Sequence, residues 1–252
     1  MDKTSIQVLF ESERRKFIWI GAESSAEKDI IRTNQYLIIQ DNKGFLVDPG
    51  GLHLFSRVVS AVSQFLPLDN IEGIFFSHQD PDVSSGIALW MGVTPAKIYI
   101  SNLWLRFLPH FGIVDTSRIV PLADQQREIT AGAFTFKLLP SHFMHSVGCY
   151  AFYDRESKIL FTGDIGTADI AYDGNSLFVE DFQQHIPALE GFHKRYMNAQ
   201  KVCQRWVQNI RPLDISILAP QHGRLYRGEQ IKQFLDWLEN LRCGTDLLDS
   251  IY

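Results

Sequence analysis

Apolar residues recur along the chain at two spacings. In the first half they form short runs of strand length. Ile6–Phe10 and Lys16–Ile20 flank the charged stretch Glu11–Arg15 and predict a hairpin. Tyr36–Ile39 and Phe45–Val47 flank Asp41-Asn42-Lys43-Gly44 and predict a second. Leu52, Phe55, Val59, Val62 and Leu66 then follow at helical spacing, and Pro67 ends that helix. Ile71–Phe76 is an apolar run that stops at Ser77-His78. Lys97–Ile100, Ala133–Leu139, Tyr150–Tyr153, Ile159–Thr162 and Ile215–Ala219 are further strands. Later, Phe192, Tyr196, Ala199, Cys203, Trp206 and Ile210 line one face of a helix. Ile231, Phe234, Leu235, Leu238 and Leu241 line another, with Gly244 placed to cap it. Strands followed by helices, twice over, predict an α/β class, with two sheets packed between helices. There is no repeat, low-complexity tract or linker, so residues 1–252 are expected to form a single domain.

Composition narrows the class without naming a function. The chain has 252 residues, 45% of them hydrophobic, and a formal net charge of −5. Its mean hydropathy is −0.08. These values exclude a disordered, collagen-like or disulfide-scaffold protein. No apolar run approaches the roughly 18 residues of a membrane span. The segment Met1–Phe10 lacks the features of a signal peptide. Cys149, Cys203 and Cys243 stand far apart with no CxxC, which suggests a reducing compartment and no cysteine metal site. A cytoplasmic protein with neither membrane nor nucleic acid as partner is expected.

The chemistry lies where polar residues end apolar runs. His78 follows Ile71–Phe76, Asp164 follows Ile159–Thr162, His222 follows Ile215–Ala219, and His145 precedes Tyr150–Tyr153. Such loops are where a rigid scaffold presents functional groups. Within Ser77–Gly86, His78, Asp80 and Asp82 alternate around Pro81, which stiffens the loop. Carboxylates beside an imidazole suit a metal of intermediate hardness. The alternative is a polar turn in which Asp82 or Ser84 caps the next helix.

Five segments in order resemble the metallo-β-lactamase superfamily. They are Leu46-Val47-Asp48-Pro49-Gly50, His78 to Val83, Met144-His145-Ser146-Val147-Gly148, Phe161-Thr162-Gly163-Asp164 and Ala219-Pro220-Gln221-His222-Gly223. The resemblance implies an αββα sandwich of two mixed β-sheets flanked by helices. The acidic Asp80 is similar to the His-x-Glu-x-Asp-His loop of flavodiiron proteins. Thr33-Asn34-Gln35-Tyr36-Leu37 and the segment from Tyr196 to His222, with Asp214-Ile215 before the last strand, are similar to two further stretches of that diiron domain. Few residues follow His222, so the flavodoxin module of those enzymes is not expected here. The chain most resembles the ODP family of stand-alone oxygen-binding diiron proteins, which includes sensory members.

That resemblance implies a ligand set. One metal takes His78, Asp80 and His145, a second takes Asp82 and His222, and Asp164 bridges them. Asp48 orients the loops by hydrogen bonding. Three carboxylates contribute about −3 against about +4 for two ferrous ions, giving a nearly neutral cluster suited to changing oxidation state. The implied cofactor is a pair of iron ions (Fe2+/Fe3+) with an oxo, hydroxo or peroxo bridge, with zinc or manganese as alternatives. Two departures stand out: Asp80 is one methylene shorter than the family's Glu, and Val83 replaces a possible ligand of the second metal. His142 is either a group near the site or a surface histidine. Asp169 and Asp173, in Thr167–Asn175, are assigned to a covering loop, and Ser84 and Ser85 to a helix start. His53, His110, His185 and His193 fit no motif.

The implied function is binding of dioxygen or nitric oxide, for sensing or reduction. An external electron donor or signalling partner and a homodimer go with it. The alternative is a binuclear metallohydrolase acting on an ester, thioester, lactam or phosphodiester.

Overall fold

The structure, a computed structural model, describes residues 4–22, 31–168, 170 and 176–251. The first sheet contains β1 (Thr4–Glu11), β2 (Arg15–Ala22), β3 (Gln35–Gln40), β4 (Lys43–Val47), β5 (Ile71–Phe75), β6 (Lys97–Ser101) and β7 (Ile119–Leu122), side by side in that order. β1 to β4 pair antiparallel; β4 to β7 pair parallel. The second sheet contains β8 (Glu128–Ala131), β9 (Phe134–Pro140), β10 (Tyr150–Asp154), β11 (Ile159–Gly163), β12 (Ile217–Pro220) and β13 (Tyr226–Arg227). Its spatial order is β13-β12-β11-β10-β9-β8, and only β11 and β12 run parallel.

Both predicted hairpins are present. Asp41 (φ 49°) and Asn42 (φ 61°) form the two-residue turn between Gln40 and Lys43. A tight turn of that kind matches strand twist, and Asp and Asn tolerate the left-handed backbone it needs. The inner strands are buried on both faces. Phe17 and Trp19 point between the sheets, where Tyr36, Phe45 and Phe75 meet Phe136, Phe152 and Phe161. Ile18 and Ile20 point outward against α1 (Phe55–Val62), α2 (Pro81–Ser84) and α3 (Ile87–Val93). The outer face of the second sheet is covered by α4 (Phe182–Tyr196), α5 (Gln200–Ile210) and α6 (Glu229–Asn240). This is the expected α/β architecture, two mixed sheets flanked by helices. The chain closes with a 3-10 turn, Gly244–Leu247, and α7 (Leu248–Ile251). Among the described residues no helix is long and apolar enough to cross a membrane.

Several local expectations are corrected. The helix expected through Phe192–Ile210 is two, because Met197 and Ala199 are extended. The break is satisfied from outside: the Asn198 N–H donates to the Phe143 carbonyl (3.2 Å), and the Asn198 carbonyl accepts from the Thr245 N–H (2.8 Å). Helical spacing continues across the break, so the pattern hides it. The helix expected through Leu66 stops at Val62, yet Leu66 is still buried. Gly244 (φ 51°) does not cap α6; Leu241 is already extended, and Gly244 opens the 3-10 turn. Neither Asp82 nor Ser84 caps a helix. α2 starts at Pro81, and the Ser84 hydroxyl donates back to the Gln79 and Asp80 carbonyls. Cys203 and Cys243, remote in sequence, are buried with their Sγ atoms 3.7 Å apart.

Candidate metal centre

Loops at one end of the sandwich converge. Ser77-His78 follow β5, and the chain then turns through Asp80 into α2, which starts at Pro81 and carries Asp82. The loop between β9 and β10 carries His145, Asp164 directly follows β11, and His222 lies two residues beyond β12. Gly163, immediately before Asp164, has φ 57°, and a Cβ there would lie 3.1 Å from Ser77 Oγ. That glycine lets β11 approach the end of β5.

His145 Nε2 lies 2.9 Å from Asp80 Oδ2 and 3.6 Å from Asp164 Oδ2. His78 Nε2 lies 3.7 Å from each of the same two oxygens. The four donor atoms are all within 4.8 Å of one another, an arrangement that could hold a metal ion. On the other side of Asp164, His222 Nε2 is 3.3 Å from Asp164 Oδ1 and 3.3 Å from Asp82 Oδ2. Donors sharing one cation at bond lengths near 2 Å sit about 3–4 Å apart. The short Asp80 side chain therefore does reach its histidine neighbours.

Two donor atoms carry the chemical signature. His78 Nε2 and Asp164 Oδ1 are buried with no hydrogen-bond partner. A buried polar atom without a partner is costly, and a cation removes the cost. The donor set therefore fits cations on both sides of Asp164.

Other groups fix how the histidines point. The Ser77 N–H and hydroxyl donate to the two oxygens of Asp48, at 2.8 and 2.5 Å. His78 Nδ1 is 2.8 Å from the same hydroxyl. With that hydroxyl hydrogen committed to Asp48, Nδ1 is the donor and Nε2 is left to face the site. Asp48 orients the loop as expected. His222 Nδ1 donates to the Arg32 carbonyl at 2.7 Å, again freeing Nε2. Asn34 holds the end of β12 through the Pro220 and Gly223 carbonyls (2.9 and 3.0 Å), and Tyr36 donates to the Pro220 carbonyl at 2.6 Å. The Thr33–Leu37 stretch is thus a clamp on the His222 loop. His145 (φ 83°) packs against the stacked rings of Phe192 and Tyr196, 5.5 and 5.3 Å away.

The electrostatics favour ion pairing over neutral groups. Burial opposes ionisation of Asp164, but His78, His222 and His145 outweigh it and hold the carboxyl at about 2. Burial likewise opposes ionisation of Asp80, and the His145 and His78 contacts hold it well below the usual range. Burial disfavours protonation of His78, yet Asp164 and Asp80 raise it to about 9. His222 is raised against burial by Asp164. Burial pushes Asp82 up, because His222 offsets it only partly. Burial also lifts Asp48, to about 7. The proton favoured on His78 stands where a cation would.

The remaining histidines separate cleanly. His142 faces Asp124 (3.9 Å) and the Tyr150 ring, away from the cluster. His53 and His110 are exposed. His185 and His193 are buried, and burial holds both at about 4. His193 accepts from the Gly166 N–H at 3.0 Å, steadying the turn after Asp164. Val83 is fully buried in the core with Leu54, Ile87 and Trp90. Asp169 and Asp173 lie outside the described residues. Sequence reasoning missed Ser77, Gln79, Ser146 and the Arg32 carbonyl; ordinary turn residues carry no pattern that marks them.

A family model described as ODP family beta lactamase matches residues 31–223. An uncharacterized protein of Methanocaldococcus jannaschii, MJ0732, is 24% identical over 213 residues, covering 82% of this chain and 53% of that protein. The chain thus spans about half the length of that curated relative. The solved structure described as the apo state of chemotaxis sensor ODP from T. denticola is 51% identical, with a TM-score of 0.90 and 99% of each chain covered. One described as a peroxy diiron species of chemotaxis sensor ODP is 50% identical, with a TM-score of 0.87, covering 98% of this chain and 99% of the other. A flavo di-iron protein mutant from Thermotoga maritima shares the fold at 18% identity and a TM-score of 0.77, covering 95% of this chain and 61% of that one. With most of its length inside the family model and half its residues shared with full-length relatives, the chain belongs to the ODP family of beta-lactamase-fold proteins.

Proposed function

We propose that this protein is a non-haem diiron protein that binds dioxygen or nitric oxide, as a sensor or, given an external electron donor, as a reductase. One observation carries the proposal: Asp164 turns one oxygen to His78 and His145 and the other to His222, with buried, unpartnered donor atoms on both sides. His78, Asp80 and His145 would hold the first iron, Asp82 and His222 the second, and Asp164 both. The full-length likeness to a diiron chemotaxis sensor at 50% identity supports the choice of metal and ligand. Bound iron supplies reversible one-electron chemistry toward such gases. Zinc or manganese would suit the same donors.

The protein's own contribution is to fix donors and balance charge. Asp48 and Ser77 keep the proton of His78 on Nδ1, and the Arg32 carbonyl does the same for His222. Asp80, Asp82 and Asp164 offset the charge of two divalent ions. Phe192 and Tyr196 wall the His145 side. With Val83 turned into the core, the second iron would have fewer protein donors and more room for a small ligand. Residues 1–252 would form one diiron domain, cytoplasmic and homodimeric, with no membrane or nucleic-acid partner.

The test is to expose anaerobic, ferrous-loaded protein to oxygen and to offer the same sample thioester, lactone and phosphodiester substrates. The expected result is a change in near-ultraviolet or visible absorption within seconds, reversed by a reductant, with no efficient hydrolysis. A reduced site that ignores oxygen while turning over one of those substrates would establish the hydrolase alternative instead.

A further inference from the structure

Gln79 lies between the two loops that supply the first half of the site. Its Nε2 is 2.9 Å from Asp80 Oδ1, and its Oε1 is 2.8 Å from the Ser146 hydroxyl. The hydrogen-bond directions follow from chemistry. An ionised carboxylate accepts only, so the Gln79 amide must donate to Asp80, and its carbonyl must accept from Ser146. Exchanging the amide nitrogen with the oxygen would set Oε1 against the Asp80 carboxylate and lose that bond.

This chain fixes one oxygen of Asp80 and leaves the other. Oδ1 is held by Gln79, whereas Oδ2 faces His145 at 2.9 Å and His78 at 3.7 Å. The loop behind is held as well, since the Ser84 hydroxyl donates to the Gln79 and Asp80 carbonyls at 2.8 and 3.0 Å. Gln79 follows the donor His78, and Ser146 follows the donor His145. The same two hydrogen bonds therefore set both the carboxylate and the distance between the loops.

We infer that Gln79 and Ser146 form a positioning pair that presents Asp80 to the first metal through a single oxygen and locks the His78 and His145 loops together. This rests on the metal assignment above. A short aspartate has less freedom to adjust than a glutamate, and an outer hydrogen bond that fixes its rotation compensates. Outer partners of metal ligands typically change metal affinity by about 10–100-fold.

The experiment titrates metal-free protein with cobalt(II) against a competing chelator, following visible absorption and metal stoichiometry. The variants are Gln79→Leu, Gln79→Glu, Ser146→Ala, Asp80→Ala and the double change Gln79→Leu with Asp80→Ala. Gln79→Leu should weaken the first site by about 10–100-fold and leave the second nearly unchanged. Gln79→Glu keeps the shape but replaces the donor with a second carboxylate, and should weaken it at least as much. Ser146→Ala should have a smaller effect in the same direction. In the Asp80→Ala background Gln79→Leu should cost much less than it does alone, leaving only the loss of the Ser146 tie, which a general packing role would not reproduce. Wild-type affinity in both Gln79 variants, or an undiminished effect without Asp80, overturns the positioning role. Wild-type cobalt binding in Asp80→Ala overturns the metal assignment itself.

Discussion

On one side of Asp164, three side chains from two loops crowd around Oδ2, and the loops are tied to each other through Gln79 and Ser146. On the other side, Oδ1 meets His222, and beyond it Asp82 at the start of α2. The first half has its histidine set by a buried serine and aspartate; the second relies on a backbone carbonyl and the clamp of Asn34 and Tyr36. The charge differs too. Asp80 is held ionised by two histidines, whereas burial pushes Asp82 upward with one histidine opposing it. On the proposed metal assignment, the half with more donors would anchor one cation and the sparser half would leave space for a ligand.

The most disruptive change should be loss of what both halves share. Asp164→Ala should reduce metal content from two ions per chain toward none, as measured by elemental analysis. Loss of one ion alone would mean that Asp164 serves a single half. Next, Asp82→Ala should cost only the second ion and leave about one per chain. Equal loss from both halves would abolish the distinction.

Proton release offers a subtler probe. Asp164 and Asp80 raise His78 to about 9 despite its burial, so at pH 7 the metal-free protein carries that proton. A metal must displace it. Affinity of the first half should therefore rise by about tenfold per pH unit between pH 7 and 9 and then level off. The metal-free fold shows the complementary trend. A histidine raised on folding contributes stability that is fully present below its unfolded value, about 6.5, and lost as pH rises through about 9. Calorimetric titration in buffers of different ionisation enthalpy measures the proton count; a pH-independent affinity would contradict this picture. The smallest effect should come from His142→Ala, which faces Asp124 instead of the cluster and should leave metal content unchanged. Total metal loss there would misplace the β9–β10 loop.

The loop after β5 was the most legible part of the site, since His78, Asp80 and Asp82 follow a single apolar run at alternate positions, a pattern that suits a metal or a polar turn. His145, Asp164 and His222 required the order of motifs, because each alone is a histidine or aspartate after a strand. The supporting groups were not legible. Gln79 and Ser146 look like turn residues, and a backbone carbonyl such as that of Arg32 has no sequence identity at all. In the fold, paired strands with buried faces were read well. β7 and β8 were missed: both are edge strands of four residues, and β7 contains Pro121, which an edge tolerates. The break at Met197 was invisible because its cause is tertiary, a pairing with the β9–β10 loop through Met144 and Phe143.

The central claim is that two cations share Asp164. Anomalous diffraction at the iron edge, on crystals of anaerobically iron-loaded protein, tests it most directly. The account predicts two peaks in each chain, one enclosed by His78, Asp80 and His145 and one between Asp82 and His222, both in contact with Asp164. A single peak, or two peaks that do not share Asp164, would contradict it.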